Sequence, residues 1–309
     1  MRIIDLVKMH IIEYLYGEGP PFRFKKESEI HQYLSSLDLK LSNPSRFRKS
    51  ALENLEKEGF VYRDLVRREK EEQYKITDAG ATWYLLEKER QNLRVSQELQ
   101  GLRETVDKIF ATYRRSGRLP IYYIPYIGMK PCQLLPNVRW LVEDGYFPSL
   151  IIPIINKPVD ETTEVLSEYQ KELWSKFKEQ VEKIFKELGA PLFHSTNPYE
   201  INTVDFFECL KDLVKLFVIL PSTREKCLIY VDITDCPKIF MNTMHLITPF
   251  YQNIFLVFMP YPKPSKKITS KKDLLKEYGD PFEKIKHPEK PTVLRPIVFP
   301  QNKKKRTLC

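Results

Sequence analysis

Twenty of the chain's 23 prolines lie at or beyond residue 120, and only Pro20, Pro21 and Pro44 precede it. Proline breaks helix interiors and is confined to the edges and bulges of sheets, so the two halves cannot share one architecture. The stretch 114–119 carries Ser116 and Gly117 after a helical run, a helix stop that marks the boundary. At 309 residues there is enough chain for two domains with separate cores.

Composition excludes several classes. A chain that is 42% hydrophobic and 12% aromatic is not disordered, and no apolar run approaches the roughly 20 residues that cross a bilayer. Asp5, Lys8, His10 and Glu13 interrupt the first apolar stretch, which reads as an amphipathic helix and not a signal peptide, so a cytoplasmic protein is expected. Cys132, Cys209, Cys227, Cys236 and Cys309 form no CxxC pair and suggest neither a zinc knuckle nor a disulfide framework. The ten glycines contain no GxGxxG or GxxxxGK[ST] cradle, and no cofactor is expected. A net charge of +9 favours anionic partners.

In the first half, residues 1–16 place Ile3, Val7, Ile11 and Leu15 on one helical stripe, and 26–35 form a second helix. Asn43 before Pro44 is an N-cap followed by proline at the first helical position, opening a third helix to about Glu58. There Phe47, Ala51, Leu52 and Leu55 share a buried face, leaving Arg46, Lys49 and Ser50 outward. Residues 60–65 and 73–76 read as paired strands with a charged tip containing Arg67, Arg68 and Lys70 among Glu69, Glu71 and Glu72. Thr77 or Asp78 then caps a helical stretch from 79 to 115.

The runs LSNPSRFRKSALENLEKEGFVYRD and QYKITDAGATWYLLE make residues 1–90 resemble a winged helix-turn-helix domain of archaeal and bacterial transcription regulators. The resemblance implies binding to double-stranded DNA, with the helix 43–58 in the major groove and the hairpin on backbone and minor groove. Ser45, Arg46, Lys49 and Ser50 would face bases, and Arg67, Arg68 and Lys70 phosphates. The alternative is a protein-binding module whose lysines and arginines are solvated charge. Within the connecting helix 91–118, Val95, Leu99, Leu102, Val106, Ile109 and Tyr113 follow a 4-3 spacing. That spacing fits a coiled-coil seam between two copies, or packing against the chain's own second domain.

Beyond residue 119 short apolar runs alternate with amphipathic helices. Strands are expected at 121–127, 149–155, 192–195, 227–233 and 254–259, and helices at 132–143, 161–188, 204–217 and 238–247. SLIIPII, CLIYVDI and NIFLVF look buried on both faces, so the fold class is α/β plus winged helix: a Rossmann-like parallel sheet with helices on both faces. Such sheets bind ligands at the carboxyl ends of their strands. Residues 261–309 form a proline- and lysine-rich extension with a KKKR run at 303–306.

The run IYVDITDCPKIFMNTMHLI resembles the strand, D-x-T-G-G-x-K loop and helix of CARF domains, the Rossmann-like ligand sensors of CRISPR-associated proteins, and the glycine in IYYIPYIGMK is similar to one in that family. The likeness spans residues 119–260. With the winged helix, the chain resembles CRISPR transcription regulators of the Csa type with the domain order reversed. The resemblance implies a homodimer that binds a cyclic oligoadenylate and alters DNA binding. Residue by residue it points to Gly128, Thr234 and Lys238, with Asp232 as the strand-end acid; Lys130 and Asp235 complete the candidate ligand site. Asp235, Cys236 and Pro237 replace the family's two glycines and the following small residue, adding charge and removing an N–H. Weak or absent oligoadenylate binding, with the domain kept for dimerisation, is the competing expectation.

Glu208, Asp232, Asp235 and Lys238 are also ingredients of a metal-dependent nuclease, although their spacing does not favour one. His245 reads as a core histidine, and His194 has no identifiable partner. No catalytic or metal-binding residue is assigned. A ligand-free structural or partition DNA-binding protein is the remaining alternative.

Overall fold

The computed structural model describes residues 3–17, 19–37, 39, 44–66, 71–91, 97–221, 226–258 and 292–294. The chain divides into two compact units, Met1–Arg94 and Val95–Cys309.

The first unit runs α1 (Ile3–Tyr16), β1 (Lys25–Lys26), α2 (Glu27–Ser36), α3 (Pro44–Lys57), β2 (Val61–Val66), β3 (Glu71–Ile76) and α4 (Asp78–Gln91). Strands β2 and β3 pair antiparallel from Val61↔Ile76 to Val66↔Glu71, and the two residues of β1 join the outer side of β3. Val7, Ile11, Ile12 and Leu15 of α1 are buried together with Ile30, Leu34, Ala51, Leu52, Leu55 and Leu86. Lys8 reaches Glu58 at 2.6 Å and so ties α1 to the end of α3.

A short T-x-x-G sequence closes this unit for a steric reason. The Thr77 hydroxyl donates to the Gly59 carbonyl at 2.7 Å and accepts the Gly80 N–H at 3.1 Å, capping α4. A Cβ at Gly80 would overlap the Phe60 carbonyl, so only glycine lets α4 start this close to the hairpin.

The second unit begins with α5 (Gln97–Arg115), followed by β4 (Ile121–Pro125), a 3-10 turn at Pro131–Leu134 and α6 (Leu135–Glu143). Then come β5 (Leu150–Ile151), β6 (Ile154–Asn156), α7 (Glu161–Glu187), β7 (His194–Ser195), β8 (Tyr199–Ile201) and α8 (Phe206–Val218). It continues with β9 (Leu228–Asp232), α9 (Lys238–Ile247), β10 (Ile254–Phe258) and β11 (Thr292–Leu294). The six-stranded sheet has the order β11-β10-β9-β4-β5-β7, with all neighbours parallel except β11, which pairs antiparallel with β10. One face packs Tyr123, Ile151, Tyr230 and Val257 against Val138 and Leu141 of α6 and Leu173, Phe177 and Val181 of α7. Tyr122, Ile124, Ile229 and Val231, which alternate with these, are also buried, as the doubly apolar runs predict.

One expectation is corrected and two are met only in part. The apolar run 149–155 is not one strand: it splits at Pro153, which has no N–H for a ladder, and β6 pairs with β8 in a separate two-stranded sheet. Within the stretch 79–115 expected to be helical, the described residues form α4 and α5, and 92–96 lie outside the described residues. Part of the carboxy-terminal extension adds a strand, since β11 covers the edge of β10; the remainder, including the run 303–306, lies outside the described residues. Of the 4-3 spaced residues, Leu99, Val106 and Ile109 are already buried within the single chain, whereas Val95 lies outside the described residues.

Candidate functional site

Strand order identifies where an open parallel sheet can take a ligand. From β4 the chain moves to β5 and β7 on one side, then returns to place β9 and β10 on the other, so the order reverses between β4 and β9. Connections diverging on either side open a crevice at the carboxyl ends of those strands. Tyr126–Lys130 follows β4 there, and Ile233–Pro237 follows β9.

These segments meet at the strand ends. The Asp235 carboxylate accepts the Lys130 backbone N–H at 2.7 Å. A Cβ at Gly128 would overlap the Asp235 carboxylate and its main-chain carbonyl, so the close approach requires glycine. Gly128, Lys130 and Asp235 therefore come together, with Thr234 adjoining Asp235 in the chain. Lys238 opens α9 as an exposed residue and makes no ion pair among the described residues.

Beneath the loop lies a second carboxylate. Asp232 is wholly buried and accepts from Tyr123 Oη and Asn137 Nδ2, each at 2.6 Å, and from the Thr234 N–H at 3.0 Å. Asn137 Nδ2 also reaches Thr234 Oγ1 at 3.0 Å. Burial raises the Asp232 carboxyl above the usual range, against the pull of these hydrogen bonds. For Asp235, loss of water pushes the carboxyl up to about 7; the Lys130 N–H and ammonium oppose that shift and the neighbouring Asp232 adds to it.

Nearby, a polar network that sequence reasoning missed braces the same strand ends. Tyr126 Oη and Thr203 Oγ1 both donate to Asn156 Oδ1 at 2.6 Å. Gln170 accepts the Asn156 N–H at 2.8 Å and donates to the Ile127 carbonyl at 2.6 Å, locking α7 to the turn before Gly128. Buried polar groups of this kind are costly unless paired, so the network fixes one arrangement of the turn.

The nuclease constellation is not assembled. Glu208 lies in the first turn of α8 and pairs with Lys211 at 2.6 Å, while the described residues contain no group of three or more His, Cys, Asp or Glu side chains able to hold a metal. His245 is exposed, in correction of its assignment to the core: α9 buries Phe240, Thr243, Met244 and Ile247 instead. His194 is exposed on β7. Burial pushes the Cys209 and Cys227 thiols up to about 12, so neither is a ready nucleophile.

In the first unit α3 separates its faces. Ala51, Leu52 and Leu55 are buried, Phe47 is half-buried, and Arg46, Lys49 and Ser50 are exposed along the other side. Arg48 turns back to Glu27 of α2 at 3.2 Å, and Arg63 of β2 is held by Glu56 and Glu72, so neither guanidinium is part of the outward row. Ser45 lies in α3 with its side chain outside the described residues, as are Arg67, Arg68 and Lys70. Among the described residues no helix is long and apolar enough to cross a membrane. No family model matches this chain, and no curated protein matches it.

Proposed function

We propose that the protein is a DNA-binding regulator of the cytoplasm, acting as a homodimer. Its first unit would be a winged helix that reads duplex DNA, and its Rossmann-like second unit a dimerisation or sensing domain. The observation that carries this reading is the outward row Arg46, Lys49 and Ser50 on α3, opposite the buried Ala51, Leu52 and Leu55. An amphipathic helix displaying cations and a small hydroxyl on its open face suits insertion into a major groove. The element order around it also supports the reading: a helix, a short strand, two helices and a hairpin closed into a three-stranded sheet.

For the second unit, the Asp235 carboxylate held on the Lys130 N–H favours the form in which cyclic oligoadenylate is not bound. A phosphate at that place would have to displace Asp235 from the Lys130 N–H and bear its charge. Fluorescence anisotropy with labelled duplexes, repeated across salt concentrations, tests the DNA reading. Binding that weakens steeply with salt and loses sequence discrimination in Arg46→Ala and Lys49→Ala supports it, and absence of duplex binding at low salt removes it.

A further inference from the structure

The opposite end of the sheet, away from the Asp235 loop, carries a pocket of about 400 Å³ between the end of α5 and the start of β4 and β9. Its lining is Phe110, Arg114, Gly117, Arg118, Leu119, Pro120 and Lys226. The local sequence builds it. Gly117 adopts φ of +68°, its N–H bonds to the Arg114 carbonyl at 3.3 Å, and the Arg118 N–H bonds to the Tyr113 carbonyl at 3.1 Å. This is a Schellman stop, which reverses the chain and brings Arg118 beside Arg114. The Leu228 N–H then bonds to the Pro120 carbonyl at 3.1 Å, fixing the segment that carries Lys226 against the same turn.

Three cations therefore line the pocket with no acid among its described lining residues, and among the described residues none of the three side chains is ion-paired. The last acid of α5, Asp107, is taken by Arg103 at 3.8 Å. Arg114 also complements the negative end of its helix, but that role explains neither Arg118 nor Lys226, which lie outside the helix. Phe110, half-buried, and Leu119, 45% exposed, give the pocket an apolar wall. Two guanidinium forks and an ammonium suit the oxygens of a doubly charged phosphate better than a single carboxylate, and a flat ring can lie on Phe110. The volume fits a ligand of mononucleotide size.

We propose that this pocket binds an organic phosphate monoester bearing an aromatic ring, with the phosphate among Arg114, Arg118 and Lys226 and the ring against Phe110. The site lies in the second unit at the other end of the sheet from the strand-end crevice, and the proposal stands whether or not the protein binds DNA. Isothermal titration of the full chain with AMP tests it, with adenosine and an oligonucleotide lacking terminal phosphates as comparison ligands. AMP binds, adenosine does not, and affinity falls about tenfold or more in Arg118→Gln and in Lys226→Gln, since each loses a charge-assisted contact. Both residues are exposed, and unchanged thermal unfolding verifies that the variants fold. AMP binding that persists in the double variant, or no AMP binding at millimolar concentration, overturns the proposal. Displacement of AMP by the oligonucleotide overturns the assignment to a monoester in favour of a nucleic-acid backbone.

Discussion

The Asp235 carboxylate occupies the space that a side chain on Gly128 would fill, and holds the Lys130 N–H at 2.7 Å. Two loops at the reversal point of the sheet are thereby closed on each other by an internal anion. Gly128→Ala would force them apart at a cost of about 1–3 kcal/mol, read as a lower unfolding midpoint. The loss should shrink in the Asp235→Gly background, because the displaced side chain is gone while the carbonyl contact remains. Equal losses in both backgrounds would show that the two residues do not press on one another.

Asp235 makes stability depend on pH in a defined direction. Its carboxyl stands at about 7 in the fold against an ordinary 3.8, so the native state binds this proton more tightly than the unfolded chain. The contribution is complete below the ordinary value and is lost as pH rises through the folded one. Asp235→Asn keeps an acceptor for Lys130 without the charge, and is expected to exceed the parent at pH 8 by roughly 2–4 kcal/mol while matching it near pH 4. Thermal unfolding at the two pH values measures this, and a constant offset between the proteins would contradict it.

Asp232 behaves differently, because its acceptor oxygens are engaged by Tyr123, Asn137 and Thr234. Tyr123→Phe should destabilise the second unit by about 1–3 kcal/mol, the range for depriving a buried acceptor of a donor. Chemical denaturation with unchanged steepness is the expected signature; a neutral result would mean that water replaces the hydroxyl.

On α3, Lys49→Ala is expected to lower the salt dependence of duplex binding by about one counterion if it meets a phosphate, or to relax base discrimination by roughly 1–3 kcal/mol if it meets a base edge. Anisotropy on matched and mismatched duplexes separates the two. An unchanged affinity for every duplex would place DNA elsewhere on the protein.

Val106 is 1% exposed within a single chain. Val106→Asp should therefore unfold the second unit and not merely dissociate a dimer. Sedimentation together with circular dichroism distinguishes these, and folded monomers would restore the intermolecular seam.

Periodicity and punctuation made much of this fold legible. Pro44 opens α3, Gly117 ends α5, and doubly apolar runs become buried parallel strands. The run 149–155 misleads because apolar character cannot show that Pro153 breaks the ladder and sends Ile154–Asn156 to a different partner. Strand-end position was enough to bring Gly128, Lys130 and Asp235 to one place. It could not show that Asp235 turns inward, because that depends on a contact between residues 105 positions apart. The Asn156 network is hidden for the same reason: its partners stand 14, 30 and 47 residues away and follow no short-range pattern. His245 was misread because an apolar neighbourhood in sequence need not share one face of a helix.

The antiparallel pairing of Thr292–Leu294 with Leu256–Phe258 bears on how this protein can be shortened. Among the described residues the far margin of the sheet is β7, only two residues long and a poor template for another chain. Without β11 the opposite margin would be Ile254–Phe258, five residues reading IFLVF with a row of free main-chain donors and acceptors. Such a strand recruits others like itself, so a version cut before residue 292 would gain a sticky flank and a tendency to self-associate unrelated to any physiological dimer.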